Sequence, residues 1–232
     1  LCAWILSEIG DETAIEPLIV ALTDSYAQTR EWAAKALGEL GDQRAVAPLI
    51  KLLTDVNPDT RRNSAMVLGW LKDQSAVPAL VRLLHDEDAS VRSRVVVALG
   101  ELGDTSVLPH LMELIYDHDD WVRIRVARTL GTMGDKRVVP VLVEALRDKQ
   151  EWVRCNAAWS LGELQATEAI EPLMRMLILD PTPNARRAAA EALGLIGDDR
   201  IVQRMIACLT DESDVVIEAI DRALQRLGYA VE

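Results

Sequence analysis

The chain has 232 residues, of which 50% are hydrophobic and 27% charged, with no Phe. That balance predicts an ordered core and excludes a disordered chain. A net charge of -12 argues against a sequence-independent nucleic-acid surface or an anionic-membrane surface, because both need clustered Lys and Arg. Cys2, Cys155 and Cys208 have the spacing of neither a disulfide framework nor a metal site, and they point to a reducing, cytoplasmic compartment. No signal peptide is visible, and no run reaches the roughly 18 apolar residues of a membrane span.

In chain order, a period of roughly 31 residues governs the sequence. Leu1 aligns with Trp32, so the chain opens inside a helix and is expected to be a piece of a longer array. From there Pro recurs at Pro17, Pro48, Pro78, Pro109, Pro140 and Pro172. Asp recurs at Asp24, Asp55, Asp86, Asp117, Asp148, Asp180 and Asp211. Arg recurs at Arg30, Arg61, Arg92, Arg123, Arg154 and Arg186, and Gly after Leu at Gly38, Gly69, Gly100, Gly131, Gly162 and Gly194. Each period reads as two helices. The first, typified by Arg44–Leu53, follows a turn such as Gly41-Asp42, where Gly ends one helix and Asp caps the next. Its Pro falls in or near the first turn, where a missing N–H is tolerated. The second helix is typified by Val91–Leu102. No segment has a strand pattern, so an all-α chain is expected.

Two stretches depart from the period. In the sixth unit Gln165-Ala166 replaces Gly-Asp, one residue is inserted, and Asp180-Pro181-Thr182-Pro183 follows; a local bend is expected there. Near the end Ile217 stands in place of the ladder Arg and Gln225 in place of the ladder Gly, while Glu218, Asp221, Arg222 and Arg226 are polar. Residues 215–232 therefore read as a terminal capping segment of one array spanning 1–232.

On the second helix, counting from the ladder Arg, apolar residues fall at offsets −1, +3, +4, +7 and +10. At about 100° per residue they form one stripe. The ladder Arg lies within it and needs a partner, since an unpaired buried charge is costly. The ladder Asp of its own or the adjacent unit is the expected acceptor, which makes these residues structural.

The spacing of Pro, Asp and Val-Arg resembles the HEAT repeat. Arg186-Arg-Ala-Ala-Ala-Glu-Ala-Leu-Gly-Leu-Ile-Gly-Asp198 is similar to the short HEAT-like repeats of phycobilisome lyases. The resemblance implies a right-handed α-solenoid of about seven two-helix repeats whose second helices line a concave face.

Offsets −2, +1, +2, +5 and +9 point away from the apolar stripe, toward that face. All six Trp map to these offsets: Trp4, Trp32, Trp70, Trp121, Trp152 and Trp159. Arg94, Arg125 and Arg128 lie among them. Exposed Trp suits a protein or peptide partner, and Arg beside it an acidic peptide or an anionic ligand group. For Trp121 and Trp152 the alternative is a staple packed on the helix entry. Cys155, at +1, is placed at the groove edge.

The three His residues, His85, His110 and His118, form no His-Glu pair of the kind used by the HEAT-like hydroxylase family. No nucleophile elbow or phosphate loop appears. No catalytic residue, metal or cofactor is expected. The sequence predicts a non-enzymatic scaffold that binds a protein segment through its concave face, with no nucleic acid or membrane as partner. The alternatives are a phycobilin-lyase-like subunit or chaperone holding a tetrapyrrole or a phycobiliprotein, and a spacer or engineered scaffold with no ligand.

Overall fold

The computed structural model describes residues 14–229. Among them every regular element is helical, as the sequence predicts, and the chain divides into two compact units, 1–114 and 115–232. The first unit contains α1 (Ile15–Ala21), α2 (Ala27–Leu40), α3 (Val46–Leu52), α4 (Pro58–Leu71), α5 (Val77–Arg82), α6 (Ala89–Leu102) and α7 (Leu108–Glu113). The second contains α8 (Asp120–Thr132), α9 (Val139–Ala145), α10 (Glu151–Glu163), α11 (Ile170–Leu179), α12 (Pro183–Ile196), α13 (Val202–Ile206) and α14 (Asp214–Arg226). Odd-numbered helices are the short first members of each pair and even-numbered helices the long second members. The partial helix expected at the N-terminus lies outside the described residues.

The turn chemistry sets these boundaries. After most second helices a Gly adopts the left-handed conformation, as Gly197 does at φ 74. The Asp that follows then accepts the N–H two residues on, at 2.8 Å from Arg44 to Asp42 and 2.9 Å from Arg200 to Asp198. That bond starts a 3₁₀ turn that leads into the first helix. In the sixth unit Gln165 takes the left-handed position at φ 48, and Ala166 offers no side-chain cap. The residue inserted in this unit is taken up in α11, which runs ten residues where the other first helices run five to seven.

Within each unit the second helices pack side by side, α4 between α2 and α6, and α10 between α8 and α12, with α14 beyond α12. The first helices back them, and the apolar stripe fills the space between the two layers with Leu, Val and Ala. The ladder Gly lies inside the second helix, at the closest approach to the next one. A Cβ on Gly162 would stand 2.9 Å from the Ala192 Cα, and one on Gly194 would stand 2.8 Å from the Ala223 Cα. Ser160 uses the same proximity to donate a 2.8 Å hydrogen bond to the Ala127 carbonyl of the preceding second helix.

The ladder Arg is buried, and its acceptors come from two successive repeats at once. Arg61 donates from Nε and Nη2 to the Asp86 carboxylate at 2.7 Å each, and from Nη1 to the Asp55 carbonyl at 2.8 Å. The Arg123–Asp148, Arg154–Asp180 and Arg186–Asp211 pairs repeat this fork. Each of those Asp residues also accepts a backbone N–H two residues on, which shapes the turn before the second helix. Burial pushes the carboxyl groups of Asp148, Asp180 and Asp211 up. The guanidinium and the backbone N–H outweigh that push and hold them below the ordinary carboxylate range. Arg30 departs from the series: it pairs with Asp59 instead of Asp55, and its Nε is buried without a partner among the described residues.

Candidate interaction face

The second-helix face of the second unit is built on α8, α10, α12 and α14. Trp121 and Trp152 open α8 and α10 at equivalent positions and are 67% and 47% exposed. A staple would keep its ring against the helix entry, whereas most of Trp121 stands in solvent. Arg125 and Arg128 are exposed on α8. The Arg128 guanidinium lies over the Trp159 ring, 4.5 Å from its centroid, a cation–π contact that fixes both side chains.

Trp159 is half-buried and forms one wall of a cleft of about 400 Å³. The floor is made of small residues, Ala188 and Ala192 on α12 and Ala219 and Ala223 on α14. Glu163, Glu191, Arg222 and Arg226 surround the opening, and Leu195 adds a second apolar wall. Glu191 accepts from Arg187 at 3.0 Å and faces Arg222 at 3.9 Å. The arrangement can take up an apolar side chain flanked by charge of either sign.

The first unit carries the corresponding face on α2, α4 and α6. Trp32 and Trp70 are 40% and 42% exposed. Trp70 is committed to packing, because its ring occupies the place where a Cβ on Gly38 would stand. Both outward-pointing Trp residues also make packing contacts: Trp70 covers a ladder glycine, and Trp159 stacks on Arg128 and walls a cleft. Arg94, on α6, is half-buried and acts electrostatically on Glu101, whose carboxylate lies against Gly69. Burial raises the Glu101 carboxyl, and Arg94 and Lys72 offset part of that rise. Trp4 lies outside the described residues.

Cys155 requires a correction. It does not edge an open groove but is buried, as is Ile124 at the same offset on α8. The +1 offset turns into the neighbouring helix because the ladder glycines bring the second helices so close. Burial pushes the Cys155 thiol up to about 11, far from a reactive thiolate. Leu195 is the residue that the sequence reading missed. Its +9 offset belongs to the outward set, but an aliphatic side chain there carries no polar or aromatic signal of a site. No group of three or more His, Cys, Asp or Glu among the described residues is arranged to hold a metal ion. No helix among them is long and apolar enough to cross a membrane.

These features define a tandem helical-repeat protein of the α-solenoid class. A HEAT-repeat family model matches residues 1–56, 46–125 and 114–181, and a PBS lyase HEAT-like repeat model matches residues 185–211. The chain belongs to the HEAT-repeat family, with short repeats of the phycobilisome-lyase type. Solved structures with similar folds include YibA of Escherichia coli, at 20% identity and a TM-score of 0.67, covering 97% of this chain and 96% of that one. The complex of CpcE and CpcF of phycocyanin lyase from Nostoc is 24% identical with a TM-score of 0.52, covering 97% and 87%. An engineered protein is 21% identical with a TM-score of 0.57, covering 97% and 74%. At these identities the likeness shows the fold alone. No match is found among curated proteins.

Proposed function

We propose that the chain is a non-enzymatic interaction scaffold, acting as a single array, that captures a protein or peptide segment along the concave second-helix face. The observation that carries this reading is the pair of exposed Trp121 and Trp152 at equivalent positions of adjacent helices. Arg125 and Arg128 stand beside them, and the Trp159 cleft lies on the same face. Large aromatic surface next to guanidinium groups is the chemistry of interface hot spots. HEAT-repeat membership supports the scaffold role. The test compares proteins retained from the source organism's lysate by the chain and by a Trp121→Ala/Trp152→Ala variant. A partner held by the first and lost by the second, with unchanged helical circular dichroism, is expected; equal retention rejects the face.

A second reading is favoured by the lyase-type repeat at residues 185–211 and the fold likeness to the phycocyanin lyase complex. In it the Trp159 cleft holds a tetrapyrrole or the phycobiliprotein that carries it. Adding bilin to the purified chain then gives a shifted visible band that Trp159→Ala abolishes; an unshifted spectrum rejects this reading.

A further inference from the structure

The residue inserted into the sixth unit changes what that unit shows to solvent on its first-helix side. In other units the residue two before the ladder Asp is an apolar side chain that closes the core, as with Leu22 at 0%, Leu84 at 1% and Leu146 at 6% exposure. Before Asp180 that place is filled from one residue further back, by Leu177 at 1%, and Ile178 and Leu179 are left outside at 55% and 71%. The position just before the ladder Asp is Thr23, Thr54, His85, Tyr116, Arg147 and Thr210 in other units. Tyr116 is also exposed, but its hydroxyl is engaged by Glu144; Leu179 is the one aliphatic side chain in the series.

Ile178 and Leu179 border a cleft of about 800 Å³ formed by the end of α9, the outer side of α11 and Arg204 of α13. Val143, Leu146 and Met176 extend its apolar lining. The charges in the lining are uneven. Every carboxylate there is already engaged: Asp148 by Arg123, Asp180 by Arg154 and Glu171 by Arg204. Arg147 and Arg175 are exposed in the same lining and have no carboxylate partner among the described residues. Two unneutralised guanidinium groups beside exposed Leu and Ile go against the trend of a chain of net charge -12.

We infer that this cleft is a second docking site, separate from the second-helix face, for an acidic peptide segment in which carboxylates flank a large apolar side chain. The apolar side chain is buried against Met176, Ile178 and Leu179, and the carboxylates pair with Arg147 and Arg175. Guanidinium groups bind carboxylates in a fork geometry that gives orientation as well as attraction, and the cleft is within the size range of ligand sites.

The test pans a random dodecapeptide display library on the immobilised chain and titrates enriched peptides by fluorescence anisotropy. Enrichment of sequences with Asp or Glu on both sides of Leu, Ile or Phe is expected. Affinity for them falls about tenfold or more in Arg147→Glu/Arg175→Glu and, separately, in Leu179→Ser. It stays unchanged in Trp121→Ala/Trp152→Ala, which distinguishes this site from the face proposed above. These positions are exposed, so circular dichroism of the variants should match the parent. Enrichment of basic or uncharged sequences, no enrichment, or binding indifferent to Arg147, Arg175 and Leu179 overturns the inference. So does a chain dimer in analytical ultracentrifugation that Leu179→Ser dissociates, which makes the cleft a contact between copies.

Discussion

The second-helix faces of the two units stand on the same glycine ladder and finish it differently. In the first unit long side chains from the +9 offset lie over the glycines, Trp70 on Gly38 and Glu101 on Gly69, where Ala98 from the +6 offset also meets the glycine. In the second unit small residues at the +6 offset meet them, Ser160 at Gly131, Ala192 at Gly162 with Leu195 from the +9 offset beside it, and Ala223 at Gly194. The first face is thus partly closed by its own side chains. The second is recessed, and Trp159 is left to wall a cleft instead of covering a glycine. One repeat frame carries a ring-covered glycine in the first unit and an Ala-floored cleft in the second.

The ladder beneath both faces should be indifferent to that difference, and breaking it is the largest effect expected. Arg154→Ala leaves Asp180 buried without its guanidinium, and Arg61→Ala does the same to Asp86. Each should cost about 3–5 kcal/mol, read as a lower midpoint in denaturant titration. A loss in only one unit would show that the ladder is not the common frame. The pH dependence follows from the depressed carboxyl groups of Asp148, Asp180 and Asp211. Their contribution is fully present above the unfolded-state value of about 3.9 and is lost as pH falls through the lower folded values. Arg154→Ala should therefore flatten the acid limb of the stability curve.

The glycines themselves sharpen the comparison. Gly194→Ala drives a methyl group against the Cα and Cβ of Ala223, at 2.8 and 2.7 Å, and the backbone of α14 has to move. A destabilisation of about 1–3 kcal/mol is expected. Gly38→Ala meets the Trp70 ring first, and that ring can swing toward solvent. The better helix propensity of Ala, worth about 1 kcal/mol, then offsets most of the loss. Equal thermal shifts for the two variants would show that the covered face is as rigid as the recessed one.

The frame was legible because it repeats. Four ladders in phase specify the helix pairs, the capped turns and the burial of Arg61, Arg123, Arg154 and Arg186. What the period cannot convey is the distance between neighbouring helices. The ladder Gly reads as part of a Leu-Gly signature, but its use is in letting α10 approach α12, and that approach buries Cys155 at an offset that points outward on an isolated helix. The same distance lets the Trp70 ring cover Gly38. The insertion was visible as a 32-residue step from Asp148 to Asp180, but its result, Leu177 shifting inward and Leu179 outward, depends on how α11 absorbs it.

A smaller effect of opposite pH sign is expected at Glu101. Burial raises its folded-state carboxyl, so the group opposes folding once it ionises. That penalty is absent at low pH and grows as pH rises through the raised value. Glu101→Gln should stabilise the chain at neutral pH and lose its advantage in acid, the reverse of what a ladder Asp variant does. A Gln variant less stable than the parent at neutral pH would mean that Arg94 and Lys72 compensate the burial in full.

The smallest effects separate Trp residues that pack from those that only face solvent. Trp159→Ala removes a half-buried ring and its contact with Arg128, and the cation–π part alone is worth about 0.5–1 kcal/mol. Trp121, at 67% exposure, has little to lose, and Trp121→Ala should stay within about 0.5 kcal/mol of the parent. Thermal melts of the two variants side by side decide it. If Trp121→Ala destabilises as much as Trp159→Ala, the Trp121 ring serves the fold and has no surplus surface for a partner. If the order holds, the ring that contributes least to stability is the one most available for binding, which is the property the open face requires.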